Sequence, residues 1–223
     1  MCSNKVITFG CRLNSYESNI IENILTKVDV DDNVVVINSC AVTQDAEKAL
    51  HKSLNKLAKE NKKVILTGCA SQIRPDFYQN YSNVIKIIDN SLKNDIRAYK
   101  SNQYIVRDSV DLEKIDESDV TFTDHFINKS RAIVKVQDGC EHSCTFCITT
   151  IARGESRSIS VKDVVKQVKL FADNGYSEIV LTGVDLSSYG LDFTPKVTLG
   201  MLVRRILIDV PNLMRLRLSS IDR

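Results

Sequence analysis

Apolar residues recur along this chain in two alternating rhythms. Short runs, Val6-Ile7-Thr8-Phe9, Val34-Val35-Val36-Ile37, Val64-Ile65-Leu66 and Val84-Ile85-Lys86-Ile87-Ile88, have the length and β-branched content of buried strands. Between the first two, Asn14 followed by Glu17 forms a capping-box pattern and predicts a helix from there to about Leu25. A second helix is predicted where Ala46, Ala49, Leu50, Leu54, Leu57 and Ala58 recur at spacings of three and four, leaving Lys48, Lys56 and Lys59 to solvent. Strand, loop and helix repeat about every 29 residues, so residues 1–100 are expected to form a doubly wound parallel-sheet α/β domain.

The rhythm lapses over residues 101–130, where Asp108, Asp111, Glu113, Asp116, Glu117, Asp119 and Asp124 gather without apolar periodicity, as in an acidic linker or domain edge. It resumes with a strand at Arg131-Ala132-Ile133-Val134-Lys135-Val136. Ser160 then caps a helix whose apolar face is Val161, Val164, Val165, Val168 and Phe171, ending near Gly175. A strand at Glu178–Thr182, a helix from about Leu199 to Val210 and a strand at Leu216-Arg217-Leu218 complete the block. Three strands cannot close a barrel, so residues 131–223 are expected to form a small open sheet or the first part of a barrel.

Composition adds exclusions rather than identity. No stretch of the 223 residues has the length of apolar sequence a membrane span needs, and a charge of +2 is too balanced to argue for or against nucleic acid. Cytoplasmic residence without a membrane partner is expected. Seven cysteines, an odd number, with no secretory leader pattern speak against a disulfide framework and for thiols that bind metal.

Six of those cysteines form two triplets. Cys11, Cys40 and Cys69 are spaced 29 residues apart, each just after a predicted strand, where a parallel sheet brings distant residues to one edge. Taken singly they could be small buried residues; their shared placement favours one metal cluster, and Cys2 lacks that placement. Gly10 and Gly68 would permit sharp turns beside it. Cys140, Cys144 and Cys147 crowd one loop as C-x-x-x-C-x-x-C. Three thiolates suit a cubane iron-sulfur cluster with one iron open to a ligand, whereas a structural zinc would need a fourth donor, for which His142 is the local candidate.

The loop spacing, its place after the first strand of a β/α block and Phe146 just before the last cysteine resemble the radical S-adenosylmethionine superfamily. The segments Phe9-Gly10-Cys11-Arg12-Leu13-Asn14-Ser15-Tyr16-Glu17, Asn38-Ser39-Cys40-Ala41-Val42-Thr43 and Thr67-Gly68-Cys69-Ala70-Ser71-Gln72 narrow the resemblance to its methylthiotransferases. Arg-Leu-Asn after the first cysteine and Ala-Val-Thr after the second are similar to the branch acting on threonylcarbamoyladenosine beside the tRNA anticodon. Sister branches act on isopentenyladenosine or on a ribosomal-protein aspartate. The likeness extends through Thr182-Gly183-Val184-Asp185-Leu186-Ser187-Ser188-Tyr189-Gly190 and Leu216-Arg217-Leu218-Ser219-Ser220-Ile221.

The resemblance implies two 4Fe-4S clusters and S-adenosyl-L-methionine as cofactors. The cluster on Cys140, Cys144 and Cys147 would generate a deoxyadenosyl radical, and the auxiliary cluster on Cys11, Cys40 and Cys69 would hold the sulfur transferred as a methylthio group to C2 of N6-threonylcarbamoyladenosine. The implied partners are tRNA carrying that base, a reductant and a sulfur donor. Phe146, Gly183, Asp185, Ser219 and Ser220 become cofactor-binding candidates, and Arg153 and Arg157 candidates for RNA phosphate. Simpler roles stand beside these: Gly183 as a strand-ending turn, the arginines as solvated loop charges. No side-chain acid or base is singled out, since the cofactors would supply the hard chemistry. Thr149-Thr150 departs from the Ile-Pro common in the family, and the family's motif runs on beyond Arg223. A C-terminally truncated radical-SAM barrel without a TRAM domain is therefore expected, with an inactive cluster-binding fragment or a zinc-binding interaction module as the alternatives to an enzyme.

Overall fold

A computed structural model describes residues 5–101, 104–106, 131–142 and 144–221. Cys2 and most of the acidic span, residues 107–130, lie outside the described residues. The chain divides near residue 121 into two compact units.

In the first unit, β1 (Val6–Thr8), β2 (Val34–Ser39), β3 (Lys63–Gly68), β4 (Val84–Ile88) and β5 (Ile105–Val106) form a parallel sheet. Helices α1 (Arg12–Lys27), α2 (Gln44–Lys59), α3 (Cys69–Ile73), α4 (Pro75–Tyr78) and α5 (Ile96–Lys100) connect the strands. Alternate strand residues serve opposite faces. Val34 and Val36 pack with Ile21, Ile24 and Leu25 of α1 and with Ala98 and Tyr99 of α5; Ile37, Val64 and Leu66 pack with Leu50, Leu54 and Leu57 of α2 and with Tyr78. Helices thus cover both faces, as the sequence predicts. The strands, however, lie in chain order, β1 to β5, with no reversal and hence no switch-point crevice. What the sheet offers instead is a row of neighbouring strand ends.

Two expectations change here. The helix α1 begins at Arg12 with Cys11 at its N-cap, and the predicted capping box does not form. Asn14 and Glu17 are fully buried and point their polar atoms inward. The sheet also extends past residue 100: β5 occupies part of the span expected as linker, and Val106 is buried against the apolar cluster under α1. By contrast α2 forms as predicted, with the Thr43 hydroxyl accepting from the Ala46 N–H at 3.2 Å.

The second unit contains β6 (Arg131–Lys135), β7 (Gln137–Asp138), α6 (Thr149–Arg153), β8 (Arg157–Ser158), α7 (Val161–Asp173), β9 (Glu178–Thr182), α8 (Leu199–Asp209) and β10 (Arg215–Leu218). β6, β9 and β10 form an open parallel sheet with β9 in the middle, and the short β7 and β8, absent from the sequence expectation, pair antiparallel. Ser160 caps α7, accepting from the Asp163 N–H at 3.2 Å. Ala132, Val134, Ile179, Leu181, Val164, Val168, Phe171, Leu202 and Ile206 are all buried, and α7 packs on β6 and α8. At the opposite edge of the sheet from its carboxyl ends, Glu178 is ringed by Arg131, Arg215 and Arg217; the Arg215 hydrogen bond leads in holding its carboxyl below the usual range. Among the described residues no helix is long and apolar enough to cross a membrane.

Candidate metal centres

The carboxyl ends of β1, β2 and β3 present Cys11, Cys40 and Cys69, all free thiols. Equal sequence spacing hides an unequal register. Thr8 pairs with Asn38, and Asn38 with Thr67. Cys40 and Cys69 each stand two residues past these partners, whereas Cys11 stands three past Thr8. Gly10 therefore lies level with Cys40, and a Cβ on it would fall 2.4 Å from the Cys40 Sγ. With φ at +96°, only glycine fits there comfortably, and its turn carries Cys11 over the neighbouring thiol. Gly68, at φ +98°, lets β3 pass equally close to the backbone of Ser39.

Cys40 and Cys69 are buried and Cys11 is exposed. Burial pushes the Cys40 thiol up; the Val42 N–H, donating at 3.5 Å, opposes this, and the adjacent Cys11 and Cys69 add to it. Three neighbouring sulfur donors at one sheet edge suit a metal held between them, and an all-sulfur donor set suits iron-sulfur chemistry.

A buried polar network backs this row. Asn14 donates its amide N–H groups to the carbonyls of Phe9 at 2.8 Å and Ser39 at 2.9 Å, leaving Oδ1 facing the Cys11 Sγ at 4.0 Å. On the other flank, Lys93 and Glu17 form an ion pair at 2.5 Å, with side chains 1% and 0% exposed. The Lys93 ammonium also donates to Asn90 Oδ1 at 2.8 Å, and Asn90 Nδ2 lies 3.8 Å from the Cys69 Sγ. Sequence reasoning missed Asn90 and Lys93, and assigned Glu17 to a cap; the one available signal was that Asn90 follows the fourth strand as the cysteines follow the first three.

The second triplet is held by short loops. Gly139, at φ +73°, passes so near the backbone of Glu155 that a Cβ would lie 1.8 Å from its carbonyl oxygen. Cys140 follows, buried, donating its N–H to Gly154 O at 3.0 Å. Cys144 and Cys147 are exposed, the latter's N–H closing a turn onto Cys144 O at 3.1 Å. Phe146 between them is 92% exposed. The donor atoms of Cys140, His142 and Asp185 lie within 4.8 Å of one another, the arrangement relevant to zinc. Yet Asp185 already accepts from the Ser187 and Ser188 hydroxyls and from His142 at 2.9 Å. Burial pushes its carboxyl up, and these donors outweigh the burial and hold it below the usual range.

Gly183 and Asp185 follow β9 at the same edge of this unit as the cysteine loop. Gln137 fastens them to it: its Oε1 accepts the Asp185 N–H at 2.8 Å, and its Nε2 donates to Gly139 O at 2.7 Å and to the Ser156 hydroxyl at 2.9 Å. Gly183 packs directly on Gln137, where a Cβ would meet Oε1 at 2.9 Å. Ser219 continues the sheet beyond β10, donating its N–H to Leu181 O at 2.9 Å, with Ser220 exposed beside it. The two arginines separate. Arg153 is 6% exposed and paired with Asp138 at 2.9 Å, so its fork is spent inside the unit; Arg157 remains on the surface.

Comparison with known proteins gives this arrangement a lineage. Residues 4–89 match the model of uncharacterized protein family UPF0004, and residues 134–219 that of the radical SAM superfamily. The chain is 42% identical, over 98% of its length, to the threonylcarbamoyladenosine tRNA methylthiotransferase MtaB of Rickettsia prowazekii. Over nearly its whole length the chain is similar to radical S-adenosylmethionine methylthiotransferases. A second MtaB, from Thermotoga maritima, is 33% identical over 98% of the chain, and the tRNA-2-methylthio-N(6)-dimethylallyladenosine synthase of Finegoldia magna 30% over 95%. The chain covers 52%, 51% and 49% of these three proteins, so it spans about half the length of the curated relatives it matches. Among solved structures, the radical S-adenosylmethionine methyltransferase TsrM from Kitasatospora setae, with cobalamin and a [4Fe-4S] cluster bound, matches with a TM-score of 0.50 and 13% identity. That match covers 92% of this chain and 47% of TsrM and speaks to fold alone.

Proposed function

We propose that this chain is part of a methylthiotransferase, carries two 4Fe-4S clusters and S-adenosyl-L-methionine, and serves in the methylthiolation of tRNA at C2 of N6-threonylcarbamoyladenosine. The observation that carries the reading is the pairing of two cysteine triplets of opposite construction, one at three adjacent strand ends and one in a loop after the first strand of a second α/β unit. Bound at these thiolates, iron-sulfur clusters supply one-electron chemistry toward S-adenosylmethionine and a site for sulfur.

The chain's own residues supply placement. Cys140, Cys144 and Cys147 hold the first cluster, with Gln137 fixing Gly183 and Asp185 beside the loop for the methionyl end of the cofactor. Phe146, Ser219 and Ser220 are the remaining cofactor contacts we assign, and exposed Arg157 the contact for RNA phosphate. Cys11, Cys40 and Cys69 hold the second cluster. An electron donor and a sulfur donor are further partners.

Mass spectrometry of tRNA nucleosides from cells with and without the gene tests the substrate. Loss of the methylthio form of threonylcarbamoyladenosine is expected; loss of methylthio-isopentenyladenosine instead would move the chain to the sister branch. The grouping of Cys140, His142 and Asp185 favours a second reading, a zinc module. Anaerobic reconstitution decides between them: about eight irons with matching sulfide is expected, and zinc without sulfide would overturn the cluster reading.

A further inference from the structure

We infer that Asn90 is a positioning residue for the N-terminal centre: clamped by Lys93 and Glu17, it aims an amide N–H at Cys69 and raises that centre's reduction potential. The inference rests on the proposed cluster at Cys11, Cys40 and Cys69. Ile88 of β4 pairs with Thr67 of β3, and Asn90 stands two residues past Ile88, as Cys69 stands two past Thr67. Asn90 thus takes the fourth place in the row of strand ends whose first three places bear the cysteines.

Its orientation is forced. An ammonium has only donors, so the group it meets at 2.8 Å must be the amide oxygen, and the NH2 must then face Cys69 at 3.8 Å. Lys93 cannot turn away, because Glu17 holds it at 2.5 Å in a site closed to water. Gln72, on α3 with Cys69, accepts the Asn90 backbone N–H at 2.9 Å and fixes the residue from a second side. The opposite flank differs in kind: Asn14 is pinned by two carbonyls so that its oxygen faces Cys11. One end of the thiol row therefore meets a donor and the other an acceptor. Hydrogen bonds to cluster sulfur favour the reduced, more negative state, so the Asn90 end raises the potential.

The test uses the full chain with Cys140→Ala, Cys144→Ala and Cys147→Ala, so that only the N-terminal centre is read. After anaerobic reconstitution, iron and sulfide are counted and the centre is titrated electrochemically with paramagnetic resonance as the readout. Asn90→Ala is expected to keep the parental iron content and titrate at a more negative potential. Asn90→Asp, which turns an acceptor oxygen toward Cys69 while keeping the Lys93 contact, is expected to shift further the same way. Unchanged potentials in the loaded variants overturn the inference, as does a loss of iron in both variants, which would make Asn90 purely structural. A parent that takes up no iron or sulfide would instead overturn the proposed function on which the inference rests.

Discussion

The sheet gathers Cys11, Cys40 and Cys69 from 59 residues of chain, while the loop gathers Cys140, Cys144 and Cys147 from eight. The first triplet is assembled by the pairing of strands β1 to β3, with a buried ion pair nearby; the second needs one backbone turn and its anchor to Gly154 and Gln137. On the proposed assignment, metal affinity at the N-terminal triplet would be coupled to the stability of a whole unit, and at the loop triplet to local geometry.

The sharpest break in that comparison comes from the buried ion pair. Glu17→Gln or Lys93→Met leaves an uncompensated charge in the core, and a loss of about 3–5 kcal/mol is expected in urea unfolding of the first unit. Iron at the N-terminal triplet should fall with it while the loop triplet still loads. Next, Gly10→Ala forces a methyl group against Cys40 in a left-handed backbone, with an expected cost of about 1–3 kcal/mol. Iron counting should drop from about eight to about four. Gly139→Ala should do the reverse, sparing the N-terminal centre.

A smaller difference should appear in metal-free protein. Timed iodoacetamide labelling with peptide mapping should find Cys144 and Cys147 modified early and Cys40 last. Because burial raises the Cys40 thiol, its thiolate is scarce at neutral pH, and its labelling should accelerate as pH rises above the ordinary thiol range. Smallest of all, Arg157→Ala should leave unfolding within about 0.5 kcal/mol of the parent, whereas Arg153→Ala, which removes a buried guanidinium and its contact with Asp138, should destabilise the second unit measurably.

Much of this was legible from residue patterns. Strands β1 to β4, β6, β9 and β10, the stripe of α2, the Ser160 cap and both cysteine triplets follow from local periodicity and spacing. Residues whose partners are far away in sequence were misread. Asn14 and Glu17 spell a helix start, yet tertiary contacts with Ser39 and Lys93 claim both side chains. Arg153 and Arg157 look alike on paper, and only the fold buries one of them against Asp138. Ile105-Val106 is too short to register as a strand until β4 offers it a partner.

The chain-order sheet carries a last consequence for how such a site tolerates change. Adjacent parallel strands are held about 4.8 Å apart whatever connects them, so the interval of 29 residues measures helix length and is no requirement of the cysteines. Residues added to the turn between α1 and β2, around residues 28–33, would lengthen the interval and leave the cysteines where they are. One residue added between Cys144 and Cys147 has no ladder to absorb it.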